Sequence, residues 1–339
     1  MISYLEIQDQ KNVRVIRLTT PILIGTLVQI MDAQHIKRKK IRHYVIVPNV
    51  DVCWYIITKS MQAPIIGISR HRFLTDGEGV TTLVAFHGCL LHCKYCLNPQ
   101  CNTPEGIKEM LSPQQLYEKV KIDDIYFLVT GGGIMFGGGE PLLRSNFITE
   151  FRKICGDRWK IYLETSLNVN QTLVEPLVDI IDYWIIDIKD YNDYIYLRYT
   201  DCHNKQVKEN LEYLISQGCV DKIMVRVPSI PEYNNESDIS DSIAALNKLG
   251  IKCIDQFKYT IDVNSLHKAN KYPTQSGINS GKFKCEVLKS IRVHVAEYNN
   301  IHYTPHECKH KVCATGCCLM CDKELAWVTK EYDKINNFK

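Results

Sequence analysis

Three cysteines fall within eight residues, Cys89, Cys93 and Cys96 in Gly88-Cys89-Leu90-Leu91-His92-Cys93-Lys94-Tyr95-Cys96, and they constrain this chain more than any other feature. A closed structural zinc site takes four ligands and a closed iron-sulfur site takes four thiolates. A tight group of three therefore leaves one coordination position for something that is not protein. The spacing, three residues and then two, can wrap three thiolates around three corners of a four-iron, four-sulfur cluster, with the fourth iron facing a cavity.

The flanking residues set this loop on a strand. Asp76-Gly77-Glu78-Gly79 reads as a glycine-bearing turn, and Val80 to His87 as an apolar strand that delivers Cys89 at its C-terminal end. A second anchor is Thr130-Gly131-Gly132-Gly133-Ile134-Met135-Phe136-Gly137-Gly138-Gly139-Glu140-Pro141, where a short apolar strand ends in three glycines followed by a carboxylate. Missing side chains let backbone groups approach a ligand closely, and such a corner suits a bound amino acid. Alone it would read as a connector or a phosphate cradle. Farther on, Tyr162 to Ser166, Tyr183 to Lys189 and Lys222 to Pro228 are strand-like runs that each stop at polar residues. Polar groups at the C-terminal ends of parallel strands converge on one mouth of a barrel. Taken singly, Lys189 and Arg226 would read as members of surface ion pairs.

The pattern between the anchors alternates. Ser112-Pro113 has N-cap and first-turn chemistry for a helix through about Val120. Strands are expected near Gly133 to Phe136, Lys160 to Leu163, Trp184 to Asp187, Lys222 to Val227 and Lys252 to Lys258. Helices are expected over Asn146 to Ile154, Gln171 to Val178, Gln206 to Ile215 and Asp238 to Leu249. With the strand before Cys89 this makes six strand-helix units and predicts an α/β fold, a partial (β/α)6 TIM-type barrel. Residues 67-260 would form that barrel. Residues 1-66 would be a small N-terminal extension or accessory module, with a helical Pro21 to Met31 and β-like Arg42 to Val47 and Val52 to Ile57. Residues 261-339 would be a helical segment with a Cys-rich tail.

The CxxxCxxC loop with Tyr95 before its last cysteine resembles the signature of the radical S-adenosylmethionine (SAM) superfamily. Asp76 to Cys89 and Leu97-Asn98-Pro99 resemble the glycyl-radical-enzyme activating enzymes, the group that includes pyruvate formate-lyase activating enzyme. The resemblance implies a 4Fe-4S cluster on Cys89, Cys93 and Cys96 flanked by Tyr95, with Gly138, Gly139 and Glu140 holding the methionyl amino group of SAM. Asp187 and Lys189 match a family DxK element near SAM, and Arg226 with Pro228, Ile230, Pro231 and Asn234 matches a segment beside the cofactor. In some activating enzymes a monovalent cation bridges the SAM carboxylate to groups matching Glu164, Thr165 and Asp187, the first commonly aspartate. Glu78 and Thr81 depart from the proline and arginine usual at those positions. The implied activity is reductive SAM cleavage to a 5′-deoxyadenosyl radical that takes a hydrogen from a substrate, foremost a backbone glycine of a partner enzyme. A one-electron donor such as flavodoxin or ferredoxin is implied with it. Radical modification of a peptide or small molecule is the alternative. A non-catalytic metal-binding protein would require Gly138 to Glu140 and the strand-end polar groups to be accidental.

A second cysteine group lies near the C-terminal end: Cys308, Cys313, Cys317, Cys318 and Cys321, five thiols in fourteen residues. Four of them can close an auxiliary 4Fe-4S cluster, or a zinc site helped by His306 and His310. This tail is similar to the C-terminal cluster domains of peptide-modifying radical SAM enzymes. Cys53, Cys155, Cys202, Cys219, Cys253 and Cys285 stand singly and read as small core hydrophobes, while Cys101 lies closer to the first loop.

Composition narrows the remaining classes. The net charge of +3 argues against a nucleic-acid partner, and the run Lys37-Arg38-Lys39-Lys40 reads as a solvated face. The longest apolar stretch, Pro21 to Met31, is too short to span a bilayer, and no secretory leader is expected. Fifteen cysteines in a chain of 339 residues then read as reduced thiols in the cytoplasm rather than as disulfides.

Overall fold

A computed structural model of the chain describes residues 6–10, 13–18, 43–45, 53–58, 61–73, 76–259, 275–307 and 319–336. The chain divides into two compact units, Met1–Met61 and Gln62–Lys339. In the first, β1 (Glu6–Gln10), β2 (Val13–Leu18), β3 (His43–Val45) and β4 (Cys53–Thr58) form an antiparallel sheet in the order β1-β2-β4-β3. The two expected β-like stretches correspond to β3 and β4. The helical reading of Pro21 to Met31 lies outside the described residues.

The second unit is built on an eight-stranded sheet, with β5 (Ala63–Phe73), β6 (Val80–Phe86), β7 (Glu109–Leu111), β8 (Gly133–Gly138), β9 (Lys160–Thr165), β10 (Tyr183–Asp187), β11 (Ile223–Ser229) and β12 (Cys253–Lys258) in the order β12-β11-β10-β9-β8-β6-β5-β7. From β6 to β12 every neighbouring pair in that order is parallel, which gives the six strands of the partial barrel. β5 and β7 close the β6 side in antiparallel fashion. The middle strands are buried on both faces, so their sequences run apolar without strict alternation, as parallel strands between helices do.

Helices α1 (Pro113–Val120), α2 (Asp124–Thr130), α3 (Ser145–Cys155), α4 (Asp193–Thr200), α5 (Lys205–Ser216) and α6 (Glu236–Lys248) fall between these strands. Helix α1 begins on a capping box in which the Gln115 N–H donates to Ser112 Oγ (3.2 Å) and the Ser112 N–H donates to Gln115 Oε1 (2.9 Å). One expected helix is corrected. Gln171 to Val178 forms two short 3-10 turns, Gln171–Leu173 and Glu175–Leu177, because Pro176 lacks the N–H that a continuous helix requires. The core between sheet and helices is aromatic, with Phe86 stacked on Phe136 at 5.4 Å and Trp159 edge-on to Phe127 at 5.2 Å.

Two further helices, α7 (Gln275–Tyr298) and α8 (Leu319–Asn336), pack on α2 through Leu288, Val295, Leu325 and Val328 against Val80, Ile125 and Tyr126. The fully buried Arg292 donates to Tyr126 Oη (2.5 Å) and Tyr303 Oη (3.2 Å), and Glu324 accepts from the Tyr303 hydroxyl and the His306 N–H, both at 2.7 Å. These bonds tie the segment ahead of Cys308 to α8. No helix among the described residues is long and apolar enough to cross a membrane.

Candidate active site

The C-terminal ends of the parallel strands open on a cavity of about 660 Å³. Cys89, Cys93 and Cys96 line it, together with Gly138, Gly139 and Glu140 after β8, Thr165 at the end of β9, Asp187 and Lys189 after β10, and Arg226 in β11. Tyr95 is the exception among the site residues read from the barrel sequence. Its hydroxyl donates to Glu232 Oε2 (3.2 Å) and its ring meets Tyr233 edge-on at 5.8 Å, outside the cavity lining. Of the C-terminal thiols, Cys321 is buried on α8, whereas Cys308, Cys313, Cys317 and Cys318 lie outside the described residues. His306 turns its Nδ1 to Glu324 Oε1 at 2.8 Å.

Backbone hydrogen bonds fix the cysteine loop from both sides. The N–H groups flanking Cys93 bond to the end of α4, His92 to the Thr200 carbonyl (2.9 Å) and Lys94 to the Tyr199 carbonyl (3.1 Å). The Gly88 N–H donates to the Cys101 carbonyl (2.8 Å), and the Cys89 N–H to Asn102 Oδ1 (3.0 Å). Iron binds the thiolate form, so the thiol environments matter. Contact with the Cys101 thiol lowers the pKa of Cys89 and pulls that of Cys96 down to about 6, while burial pushes Cys93 up to about 12.

The glycine corner is joined directly to that loop. Gly139 and Glu140 donate their N–H groups to the carbonyls of Phe86 (2.9 Å) and Gly88 (2.7 Å). Gly138 has φ +94, and a Cβ there would stand 2.6 Å from Ala85 Cβ. A Cβ on Gly139 would stand 2.2 Å from the Gly88 carbonyl oxygen, so nothing larger than glycine fits without moving the residue before Cys89. The buried carboxylate of Glu140 accepts from Thr165 Oγ1 (2.6 Å), Ser166 Oγ (2.7 Å), Ser166 N (3.0 Å) and Leu142 N (3.1 Å). Burial raises its pKa against these hydrogen bonds. Glu140 thereby clasps the glycine corner to the end of β9.

This geometry predicts the effect of Gly139→Ala: SAM affinity falls by about tenfold or more, about 1.4 kcal/mol, in anaerobic calorimetry. Gly131→Ala is the control. It lies at positive φ (+69) but has open space around its Cβ, and it is expected to leave SAM affinity unchanged.

The rest of the lining is charged. Lys189 Nζ pairs with Asp187 Oδ2, and Lys189 holds a left-handed backbone at φ +56, a conformation that costs a non-glycine residue about 1–3 kcal/mol. Burial opposes the charge on Lys189, but Asp187, Tyr259 and Cys93 outweigh it and raise its pKa well above the ordinary value. Arg226 Nη1 donates to Glu164 Oε1 (2.6 Å), and its Nε lies 3.5 Å from Asp255 Oδ2. Asn234 locks the loop after β11, accepting from the Ile230 N–H (2.6 Å) and donating to the Pro228 carbonyl (3.0 Å) and Asp190 Oδ2 (3.1 Å). Sequence reading missed Arg72, Asp255, Phe257 and Tyr259, which also line the cavity. The last three sit on or just after the sixth parallel strand, where the polar-end pattern of the earlier strands could have flagged them.

Three observations test whether this site fits a cluster and SAM together. Three thiols line the cavity. Asp187 Oδ1, on a cavity-lining residue, is buried without a hydrogen-bond partner among the described residues. The glycine corner offers backbone where a side chain would collide. All three fit.

The family model described as the radical SAM superfamily matches residues 83–246, from the strand that delivers Cys89 into α6. Those residues form a radical SAM domain, and that family implies a 4Fe-4S cluster and SAM as cofactors. Within the superfamily the chain is similar to activating enzymes. Pyruvate formate-lyase 1-activating enzyme of Escherichia coli is 24% identical over 204 residues, 58% of this chain and 75% of its own length. Pyruvate formate-lyase-activating enzyme of Clostridium pasteurianum is 28% identical over 200 residues, covering 58% and 83%. The (2S)-3-sulfopropanediol dehydratase activating enzyme of Klebsiella oxytoca is 32% identical over 167 residues, covering 47% and 52%. Among solved structures, Streptococcus suis SuiB aligns with a TM-score of 0.42 at 14% identity, over 63% of this chain and 45% of that one, so this chain spans less than half of that structure.

Proposed function

We propose that this chain is a glycyl-radical-enzyme activating enzyme, which uses a SAM-derived radical to take a hydrogen from a backbone glycine of a partner protein. The observation that carries the reading is the joining of the three-thiol loop, the Gly138–Gly139 corner and the charged strand ends in one cavity, in a barrel whose sequence relatives are named activating enzymes. Bound here, the cluster and SAM supply one-electron cleavage of the sulfonium to methionine and a 5′-deoxyadenosyl radical.

The protein's part is to bind, orient and exclude water. Cys89, Cys93 and Cys96 hold three corners of the cluster. Gly138 and Gly139 present backbone to the methionyl amino group, and Glu140 keeps that backbone in place with Thr165. Lys189 and Arg226 bring positive charge to the wall on which a carboxylate is to sit, and the free oxygen of Asp187 accepts a ligand donor. Tyr95 braces the loop from outside. The electron comes from a small donor protein such as flavodoxin or ferredoxin, and a reducing cytoplasm keeps the thiols available.

The five C-terminal cysteines support a second reading, a peptide-modifying enzyme with an auxiliary cluster or zinc. One experiment serves both. Anaerobically reconstituted protein, given dithionite and SAM, is expected to release 5′-deoxyadenosine. Adding a glycyl-radical enzyme encoded nearby is expected to produce the doublet EPR signal of a glycyl radical. Nucleoside release with no such signal, but with mass change of a short precursor peptide, moves the assignment to the second reading. No nucleoside at all removes both. Iron analysis of Cys308→Ala with Cys313→Ala reports the tail, with about four irons lost if it holds a 4Fe-4S cluster.

A further inference from the structure

Three consecutive carbonyls lead into Cys89, those of Phe86, His87 and Gly88, and all three accept from the segment that follows β8. The Gly139 N–H donates to the Phe86 carbonyl (2.9 Å), the Glu140 N–H to the Gly88 carbonyl (2.7 Å), and Arg144 Nη2 to the His87 carbonyl (3.0 Å). Arg144 supplies the one side-chain donor of the three. Its guanidinium also stands against Gly88, where an added Cβ would lie 3.3 Å from Nη2, so it touches the residue directly before Cys89. Arg144 does not line the cavity.

Most other arginines are differently placed. Arg70, Arg72, Arg152, Arg158, Arg226 and Arg292 each pair with a carboxylate. Arg144 bonds only to backbone carbonyls, those of His87 and of Leu143 (3.2 Å), and its Nε is buried without a hydrogen-bond partner among the described residues. Burial is the one influence on its pKa, downward, with no carboxylate to oppose it. A half-buried cation that no side chain balances is costly unless something else at the site carries the opposite charge. A 4Fe-4S cluster on three thiolates carries net negative charge, and each added electron increases it. A positive charge beside it therefore stabilises the reduced form more than the oxidised one.

We infer that Arg144 is a positioning residue of the cluster site: it fixes the backbone ahead of Cys89 through the His87 carbonyl, and its unbalanced positive charge makes the bound cluster easier to reduce. The electron itself comes from the donor protein, and Arg144 neither gains nor loses a proton or an electron. The inference rests on a cluster standing at Cys89, Cys93 and Cys96, and not on the identity of the substrate.

The test is a potentiometric EPR titration of the reconstituted full chain, comparing wild type, Arg144→Gln and Arg144→Lys. It follows, in the absence of substrate, the signal that responds to SAM, which marks the cluster with the open corner. Both variants keep a donor for the His87 carbonyl, and only lysine keeps the charge. Arg144→Gln is expected to hold the wild-type iron content and to show a reduced-to-oxidised ratio about tenfold lower at a fixed ambient potential, about 59 mV for a one-electron couple. Arg144→Lys is expected to hold the wild-type midpoint. An unchanged midpoint in iron-loaded Arg144→Gln overturns the inference. So does a shift in Arg144→Lys as large as that in Arg144→Gln, because the lost guanidinium fork rather than the charge would then be its cause. If Arg144→Gln loses its iron, Arg144→Lys decides: full iron at the wild-type midpoint supports the charge, and a displaced midpoint, or iron loss in both variants, overturns it. Wild-type protein that binds no iron would instead sink the cluster reading itself, so the two failures are distinguishable.

Discussion

Cys93→Ala is expected to abolish both cluster assembly and SAM cleavage. Of the three loop cysteines, Cys93 is the one whose neighbouring N–H groups are both bonded to the end of α4, which holds its backbone in place. Its loss would remove one of the three ligands proposed for the cluster. Iron should fall by about four per chain, with a matching loss of the sulfur-to-iron charge-transfer absorbance. Formation of 5′-deoxyadenosine should drop at least about a thousandfold, equivalent to about 4 kcal/mol of barrier. Lys189→Ala gives the contrast, with iron retained and SAM affinity weakened. A Cys93→Ala protein with its full iron content, or with undiminished nucleoside release, would show that the open-corner assignment is wrong.

Much of the barrel was legible because its rules are local. Parallel strands buried on both faces give apolar runs, glycines mark the corner after β8, and Ser112-Pro113 with Gln115 announces α1. The convergence of the cavity residues was legible for the same reason, since each sits at the end of such a run. Strands β5 and β7 and helices α2 and α4 escaped. Helix α2 is buried over most of its circumference, so Asp124 to Thr130 lacks the one-sided pattern of a surface helix. Helix α4 is rich in tyrosine, whose propensity points to strands, and its start depends on Asn192 accepting from the Tyr194 N–H. The false helix at Gln171 to Val178 had the right apolar spacing but met Pro176 in its middle. What no local pattern carries is the buried polar pairing. Arg70 reaches Asp123 across 53 positions and Arg292 reaches Tyr126 across 166, and only the folded chain brings such groups together.

Asp123→Ala is expected to be the most destabilising single change in the barrel outside the cysteine loop. The carboxylate is fully buried and joins three elements. Arg70 and His71 reach it from β5, where a bulge and the left-handed backbone of His71 (φ +56) aim both side chains inward. Arg70 Nε donates to it at 2.9 Å, His71 Nε2 lies 2.8 Å from Oδ1, and Thr82 Oγ1 of β6 donates at 2.7 Å. Arg70 also bonds Asp322 of α8 at 2.9 Å. Removing one partner from a buried charged network leaves the others uncompensated and typically costs about 3–5 kcal/mol. Thr82→Val, which deletes a single neutral donor, should cost about 1 kcal/mol. Burial works against the Asp123 charge, but the bonds from His71 and Arg70 outweigh it and hold the carboxyl below its ordinary pKa. A carboxyl depressed on folding stabilises fully above its unfolded pKa, and that stability is lost as pH falls through the folded value. Wild type should therefore lose stability as pH drops below about 4, and Asp123→Ala should lack that component of the loss. The measurement is the urea midpoint by far-UV circular dichroism across pH. Because β6 is the strand that delivers Cys89, the same variant should also load iron less completely than Thr82→Val. Equal midpoints for Asp123→Ala and Thr82→Val would place the stability of this barrel somewhere other than in the carboxylate that binds β5 and β6 together.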